Sequence, residues 1–244
     1  MSKDEAAQHR RRLEDAELQH GPMHYRVKPY LILKSAAEIA RHSKLLDAVE
    51  AVLGTNILLW DSAYVIKEPN NPGFVSWHQD LTYWGLDSDK MVTAWVALSS
   101  STRENGCMRF IPGSHRQGQL KHVDRRDENN ILHRSQQVAG GLDTSGAVDI
   151  ELRPGEASIH HGWVIHGSNP NNSDDRRIGL TMQYISPSVR QRHTDRESAT
   201  LVRGVDSFGH FAPEPECVAD FDEENLAFQR GVERLKHTVY DTDS

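Results

Sequence analysis

Cysteine is scarce in this chain: only Cys107 and Cys217 occur among 244 residues. Two cysteines are too few for a disulfide framework or for a metal site built from thiolates. The composition is therefore typical of a protein from a reducing compartment, and we expect a cytoplasmic location.

The chain also lacks an excess of positive charge and a long apolar run. With 28 Lys and Arg against 35 Asp and Glu, its formal net charge is −7, which argues against broad binding to nucleic-acid phosphates. The segment 1–21 is charged and contains no apolar stretch. It is thus predicted to be neither a secretory signal nor a membrane anchor, and we expect a solvated helix or a frayed arm there.

Internal repeats and a Rossmann-type glycine motif are absent as well, and what remains reads as short strands behind a group of helices. Ser35–Glu38 has the form of a capping box, and an apolar stripe at helical spacing runs from Leu45 to Leu53 before Gly54. Strands are predicted by apolar and β-branched runs between turn residues, at 57–67, 91–98, 107–111, 148–152, 157–166 and 178–186. We expect one domain, 1–244, that is mainly β with flanking helices.

The segment 117–147 is polar and contains glycine. Long insertions of this kind in compact domains are often lids or substrate loops, and a tolerated surface loop is the alternative. The composition of the segment does not choose between them.

The stretch Phe74–Trp84 places His78 and Asp80 two residues apart among aromatic side chains. On an extended strand, side chains at this spacing point to the same face, so both groups can bind one ion. A second histidine from a distant strand completes the two-His-one-carboxylate set that holds non-heme Fe(II). His166 is the candidate, although His160 shares its face if 157–166 is one regular strand, and spacing alone allows either.

The order and spacing of several motifs between Ser62 and Ser186 resemble the phytanoyl-CoA dioxygenase family of Fe(II)- and 2-oxoglutarate-dependent oxygenases. The matching residues are Trp77-His78-Gln79-Asp80, Tyr83, Trp95, Asn105-Gly106-Cys107, Pro112-Gly113-Ser114-His115, His166-Gly167-Ser168 and Arg177. The resemblance implies a double-stranded β-helix, or jelly roll. It also implies His78, Asp80 and His166 as iron ligands, because the Gly-Ser after His166 selects it over His160.

The same resemblance implies that Arg177 and Ser168 hold the distal carboxylate of 2-oxoglutarate, with Trp95 as a further co-substrate residue. A guanidinium fits a carboxylate through two parallel hydrogen bonds. Because neighbouring strand residues point to opposite faces, only one of Arg176 and Arg177 can point inward. The alternative places both arginines on the surface, paired with Asp174 and Asp175.

These features together predict an oxygenase that uses Fe(II), 2-oxoglutarate and O2 to hydroxylate an unactivated C–H bond of a small organic substrate. The Arg-rich stretch 190–203 could face an anionic or carrier-linked substrate, or could be a solvated loop. No nucleic-acid or membrane partner is expected. A non-oxidative cupin-like metal enzyme and a catalytically silent metal-binding protein are the alternatives.

Overall fold

The structure is a computed structural model that describes residues 1–132 and 134–240. The α-helices of this part are Lys3–His20 (α1), Lys34–Ala40 (α2), Ser43–Leu53 (α3) and Glu223–Tyr240 (α4). Its strands are Ile57–Lys67 (β1), Val75–His78 (β2), Met91–Ala97 (β3), Met108–Phe110 (β4), His122–Asp124 (β5), Gln136–Val138 (β6), Val148–Ile150 (β7), Ala157–His161 (β8), His166–Ser168 (β9), Arg177–Ile185 (β10), Ser198–Arg203 (β11) and Ala212–Pro213 (β12).

Two sheets make up the β-structure around the candidate site. The larger sheet has the order β12-β11-β1-β10-β3-β8, the smaller one has the order β2-β9-β4-β7, and β5 and β6 form a separate hairpin. β1, β10, β3 and β8 are antiparallel neighbours, as are the four strands of the smaller sheet. The predicted jelly roll with flanking helices is confirmed.

The larger sheet has one apolar face and one face that carries the site. Val92, Ile178 and Tyr184 lie in the main core cluster together with Leu46 and Val49 of α3. Because side chains alternate along a strand, the residues between them point the other way, among them Thr93 and Trp95 of β3 and Arg177 of β10. The helices therefore cover one face of the sheet and leave the other for chemistry.

The N-terminal segment forms a helix that packs on the domain. Ser2 and Glu5 make a reciprocal capping box at its start, and Leu13 is fully buried. The predicted capping box at Ser35 is wrong. The helix α2 begins at Lys34, and the buried Ser35 hydroxyl contacts His9 Nδ1 at 2.8 Å instead. The end of α3 at Gly54 is confirmed, with φ +86.

Two predicted strands end earlier than expected. β2 stops at His78, and Asp80 begins a short 3-10 helix, so the two residues do not share one regular strand. The predicted strand 157–166 is two strands: β8 ends at His161 in the larger sheet, and β9 begins at His166 in the smaller sheet. The chain crosses between the sheets at Gly162, where a Cβ would overlap Leu81 and Met91.

Within residues 1–132 and 134–240, no helix has the length and apolar character needed to cross a membrane.

Candidate functional site

Two histidines of the site are held by neighbouring strands. His78 on β2 and His166 on β9 are register partners, and both are buried. The Nδ1 atom of each ring lies near the carbonyl oxygen two residues earlier, at 2.9 Å for Ser76 and 3.0 Å for Val164. Because a carbonyl only accepts, each Nδ1 donates its hydrogen, and each Nε2 keeps a free lone pair.

Asp80 completes the cluster from the turn after β2. Its Oδ1 lies 3.5 Å from His78 Nε2 and 3.7 Å from His166 Nε2. The ligand atoms of the three residues all lie within 4.8 Å of one another, as a metal site requires. Two histidines and one carboxylate form the facial set that suits non-heme Fe(II) and leaves coordination positions open.

The second oxygen of Asp80 is held by the larger sheet. Oδ2 accepts a hydrogen bond from the Thr93 hydroxyl at 2.7 Å and lies 3.3 Å from His160 Nε2. His160 therefore contacts the carboxylate from behind and does not replace His166. The sequence indicated neither contact, because β3 and β8 meet Asp80 only in the folded sheet.

The electrostatics of the cluster suit a divalent cation. Burial lowers the pKa of His166 to about 3, and the neighbouring His78 adds to this effect, so the ring is neutral. Burial opposes ionisation of Asp80, but His166 and the hydrogen bonds from His160 and His78 hold its pKa well below the usual range. An ionised carboxylate and neutral imidazoles are the forms that bind metal.

Arg177 lies at the start of β10 with 1% of its surface exposed. Its Nη1 donates to the carbonyl oxygen of Gly106 at 2.8 Å, and its guanidinium carbon lies 5.2 Å from the centre of the Trp95 ring. Burial lowers its pKa to about 10, and its buried Nε has no partner among the described residues. An unpaired donor on a buried cation fits an incoming carboxylate.

Arg176 points away from this group. Its guanidinium binds Glu17 at 2.8 Å and Glu68 at 2.8 Å, so the surface pairing predicted with Asp174 and Asp175 is wrong for its side chain. Only its backbone N–H donates to Asp175. The alternation of the strand therefore separates one arginine in an ion-pair network from one buried beside the metal cluster.

Lys67 is a residue of this site that sequence reasoning missed. It is the last residue of β1, is 3% exposed, and is the register partner of Arg177. Its Nζ donates to the Ser168 hydroxyl at 2.7 Å and to the carbonyl oxygen of Asn169. Burial and the charge of Arg177 lower its pKa to about 6. A lysine at the end of an apolar strand was the available signal, but the pairing of β1 with β10 gives it meaning.

A cavity of about 1160 Å³ contains the metal cluster together with Ser168, Trp95 and Arg177. Aromatic side chains line another part of it, namely Trp60, Tyr83, Trp84 and Trp163. The insertion 117–147 contributes Gln119, Ile131, Leu132, Arg134 and Gln136. The segment therefore borders the cavity, and its role as a lid stays a prediction.

The Arg-rich stretch divides between the cavity and the surface. Arg192 lines the cavity. Arg203 instead binds Asp47 and Glu50 of α3, and Arg190 Nε donates to His210.

The sequence profile of the phytanoyl-CoA dioxygenase (PhyH) family matches residues 3–179, which is more than half of the chain. This chain belongs to the phytanoyl-CoA dioxygenase family. A probable alpha-ketoglutarate-dependent hypophosphite dioxygenase of Stutzerimonas stutzeri is 30% identical over 160 residues, covering 65% of this chain and 55% of that protein. The chain spans about half the length of the curated relatives it matches.

Solved structures of PhyH-like proteins extend the similarity to nearly the whole chain. The apo form of the non-heme monooxygenase ThoJ is 31% identical with a TM-score of 0.86, covering 99% of this chain and 92% of that one. CytC3 with Fe(II) and alpha-ketoglutarate shares the fold at 24% identity, with a TM-score of 0.64 over 91% of this chain and 89% of that one. The residues of the present PhyH-family chain fit both groups, Fe(II) at the His-Asp-His cluster and 2-oxoglutarate beside Arg177.

Proposed function

We propose that this chain is an Fe(II)- and 2-oxoglutarate-dependent dioxygenase that hydroxylates an unactivated C–H bond of a small organic substrate. One observation carries the proposal: the His78–Asp80–His166 cluster shares a cavity with a buried arginine whose Nε has no partner in the described part of the chain. A metal site alone would also suit a non-oxidative cupin-like enzyme. The buried cation adds a place for a carboxylate next to the metal.

Each residue of the cluster has a defined task in this proposal. His78 and His166 present Nε2 lone pairs to the metal because their Nδ1 atoms are held by backbone carbonyls. Asp80 supplies the anionic ligand, and Thr93 and His160 fix its orientation. Arg177 and Ser168 hold the distal carboxylate of 2-oxoglutarate, and the Trp95 ring packs against the guanidinium.

When bound, Fe(II) and 2-oxoglutarate supply the oxidising power, because O2-dependent decarboxylation of 2-oxoglutarate to succinate and CO2 leaves one oxygen atom for the substrate. The protein excludes water and orients the target C–H bond. The aromatic part of the cavity suits an organic substrate. Its polar lining, with Arg134 and Arg192, is compatible with an anionic or carrier-linked compound.

The first test is anaerobic addition of Fe(II) with and without 2-oxoglutarate. We expect a weak visible charge-transfer absorption that requires both. The Asp80→Asn variant is the matched control, because it keeps the shape of the ligand and removes its charge. Absence of the absorption in the wild type would contradict the proposal and favour a non-oxidative metal enzyme or a silent binding protein.

The second test concerns the reaction. A screen of organic acids, amino acids and carrier-linked acids should find a compound that accelerates conversion of 2-oxoglutarate to succinate. With 18O2, the product should gain one labelled oxygen atom. A product altered without a gain of oxygen would retain the oxygenase chemistry and refute hydroxylation.

A further inference from the structure

Two buried cationic side chains lie together in the proposed co-substrate pocket. Lys67 and Arg177 are register partners on β1 and β10, with 3% and 1% of their surfaces exposed. No carboxylate among the residues that the structure describes contributes to the environment of either group, and the neighbouring titratable groups are Cys107 for both and Tyr25 for Arg177. Two buried cations without a counter-charge indicate a site for an anion.

Ser168 stands between Lys67 and the cavity. Its hydroxyl oxygen accepts from Lys67 Nζ at 2.7 Å, and Ser168 lines the cavity whereas Lys67 does not. A protonated lysine has donors and no acceptor. The hydroxyl hydrogen of Ser168 therefore cannot point back at Lys67 and is free to turn toward the cavity.

We propose that Lys67 is a positioning residue that fixes Ser168 as a hydrogen-bond donor to the distal carboxylate of 2-oxoglutarate and adds a second positive charge behind it. This inference rests on the proposed function, because it names the anion that the two cations await. It assigns Lys67 an action through Ser168, without direct contact with the co-substrate. A hydroxyl polarised by a cation makes a stronger hydrogen bond to a carboxylate than an isolated hydroxyl does.

A purely structural role for Lys67 is the competing explanation. Its Nζ also donates to the carbonyl oxygen of Asn169, which ties the end of β1 to the segment after β9. A structural tie would affect every ligand of the pocket equally. The positioning role affects only ligands that carry the distal carboxylate, and this difference can be measured.

The experiment compares two ligands in Mn(II)-loaded protein by titration calorimetry. One is 2-oxoglutarate, and the other is 2-oxopentanoate, which keeps the 2-oxo acid and lacks the distal carboxylate. We expect Lys67→Met to weaken 2-oxoglutarate binding by about tenfold to a hundredfold. Binding of 2-oxopentanoate should stay within about twofold. In a Ser168→Ala background, the additional effect of Lys67→Met should shrink.

Further variants separate the explanations. Lys44→Met replaces an exposed lysine of α3 and should bind both ligands like the wild type. Lys67→Gln keeps a donor without the charge, so it should lose less 2-oxoglutarate affinity than Lys67→Met, and it serves if Lys67→Met does not fold. Equal loss of both ligands, or no loss of either, would overturn the inference. If the wild type and Arg177→Leu show no preference for 2-oxoglutarate over 2-oxopentanoate, the proposed function fails with it; if only Lys67 proves silent, the proposed function stands.

Discussion

His78 and His166 are direct partners across the antiparallel pair β2 and β9, with ring centroids 4.2 Å apart. Two of the three candidate ligands are thus aligned by backbone hydrogen bonds before any metal binds. A site built on paired strands is held more firmly than one built on loops. We therefore expect ligand substitutions to remove metal binding and to leave the fold in place.

The first prediction concerns iron. His78→Ala and His166→Ala should each lose most of the affinity for Fe(II), because each removes one of only three protein ligands. The measurement is anaerobic Fe(II) binding, with circular dichroism as the check on folding.

His160→Ala is the matched control for this prediction, since it removes a buried histidine that contacts Asp80 Oδ2 and offers no ligand to the cluster. Loss of an outer partner of this kind typically costs about 10- to 100-fold in affinity. Stoichiometric iron in the His166 variant would transfer the ligand role to His160 or His161.

The second prediction compares the two neighbouring arginines. Arg177→Leu should weaken 2-oxoglutarate binding by about 2 to 5 kcal/mol, because a buried carboxylate would lose its charged partner. Arg176→Leu should leave that affinity nearly unchanged, since its guanidinium binds Glu17 and Glu68 on the other side of the sheet. The measurement is the apparent KM for 2-oxoglutarate, and the reverse order of effects would show that Arg176 faces the co-substrate.

The third prediction tests the packing behind Arg177. A Cβ at Gly179 would overlap the Trp95 ring, which contacts the guanidinium of Arg177. Gly179→Ala should therefore displace Trp95, lower the thermal stability and raise the KM for 2-oxoglutarate. Gly113→Ala provides a contrast, because its added Cβ meets nothing within 4 Å and any cost comes from its φ of +78 alone. An unchanged KM in the Gly179 variant would show that Trp95 does not position the arginine.

The fourth prediction is a pH dependence of stability. Burial and the charge of Arg177 lower the pKa of Lys67 to about 6, against roughly 10.4 in an unfolded chain. Between these values the unfolded chain binds a proton that the folded chain lacks, so this residue makes the free energy of unfolding rise with pH. Below about pH 6 both states are protonated, and the dependence disappears.

Denaturant unfolding of the wild type and Lys67→Met between about pH 6 and pH 9 checks this prediction. The wild type should gain stability relative to the variant by up to about 1 kcal/mol per pH unit. The neighbouring groups do not titrate in this window, because the pKa of Arg177 is about 10 and burial raises that of Cys107 to about 11. A difference that stays constant with pH would mean that Lys67 is charged throughout.

The fifth prediction concerns Gln79, the residue between two candidate ligands. Its side-chain amide donates to the carbonyl oxygens of Gly118 and Trp163 and accepts from the backbone of Leu120, and its own N–H donates to His122 Nε2. Gln79→Ala would leave these backbone groups unpaired, at about 1 to 3 kcal/mol.

We expect faster hydrogen exchange in 117–124 and weaker Fe(II) binding in this variant, because the same turn carries His78 and Asp80. Exposed Gln119→Ala, also in the insertion, should change neither quantity in the absence of substrate. Unchanged exchange in the Gln79 variant would show that the insertion is anchored elsewhere.

Local patterns in the sequence were sufficient for much of the fold and the site. The apolar runs at β1, β3 and β10 and the helix end at Gly54 depend on residues close in the chain, and so does the alternation that puts Arg177 and Ile178 on opposite faces. The pairing of a histidine and a carboxylate at short spacing is local as well. Such features can be read directly because each is encoded within a few residues.

Other features were decided only when distant strands came together. The chain leaves β8 at His161 and changes sheets before His166, although its apolar pattern continues without a break. Thr93 reaches Asp80 across β3, and Lys67 reaches Ser168 across 101 positions of sequence. These contacts depend on which strands are neighbours, and strand order follows from burying one apolar face of each sheet under the helices, a condition set by the whole chain at once.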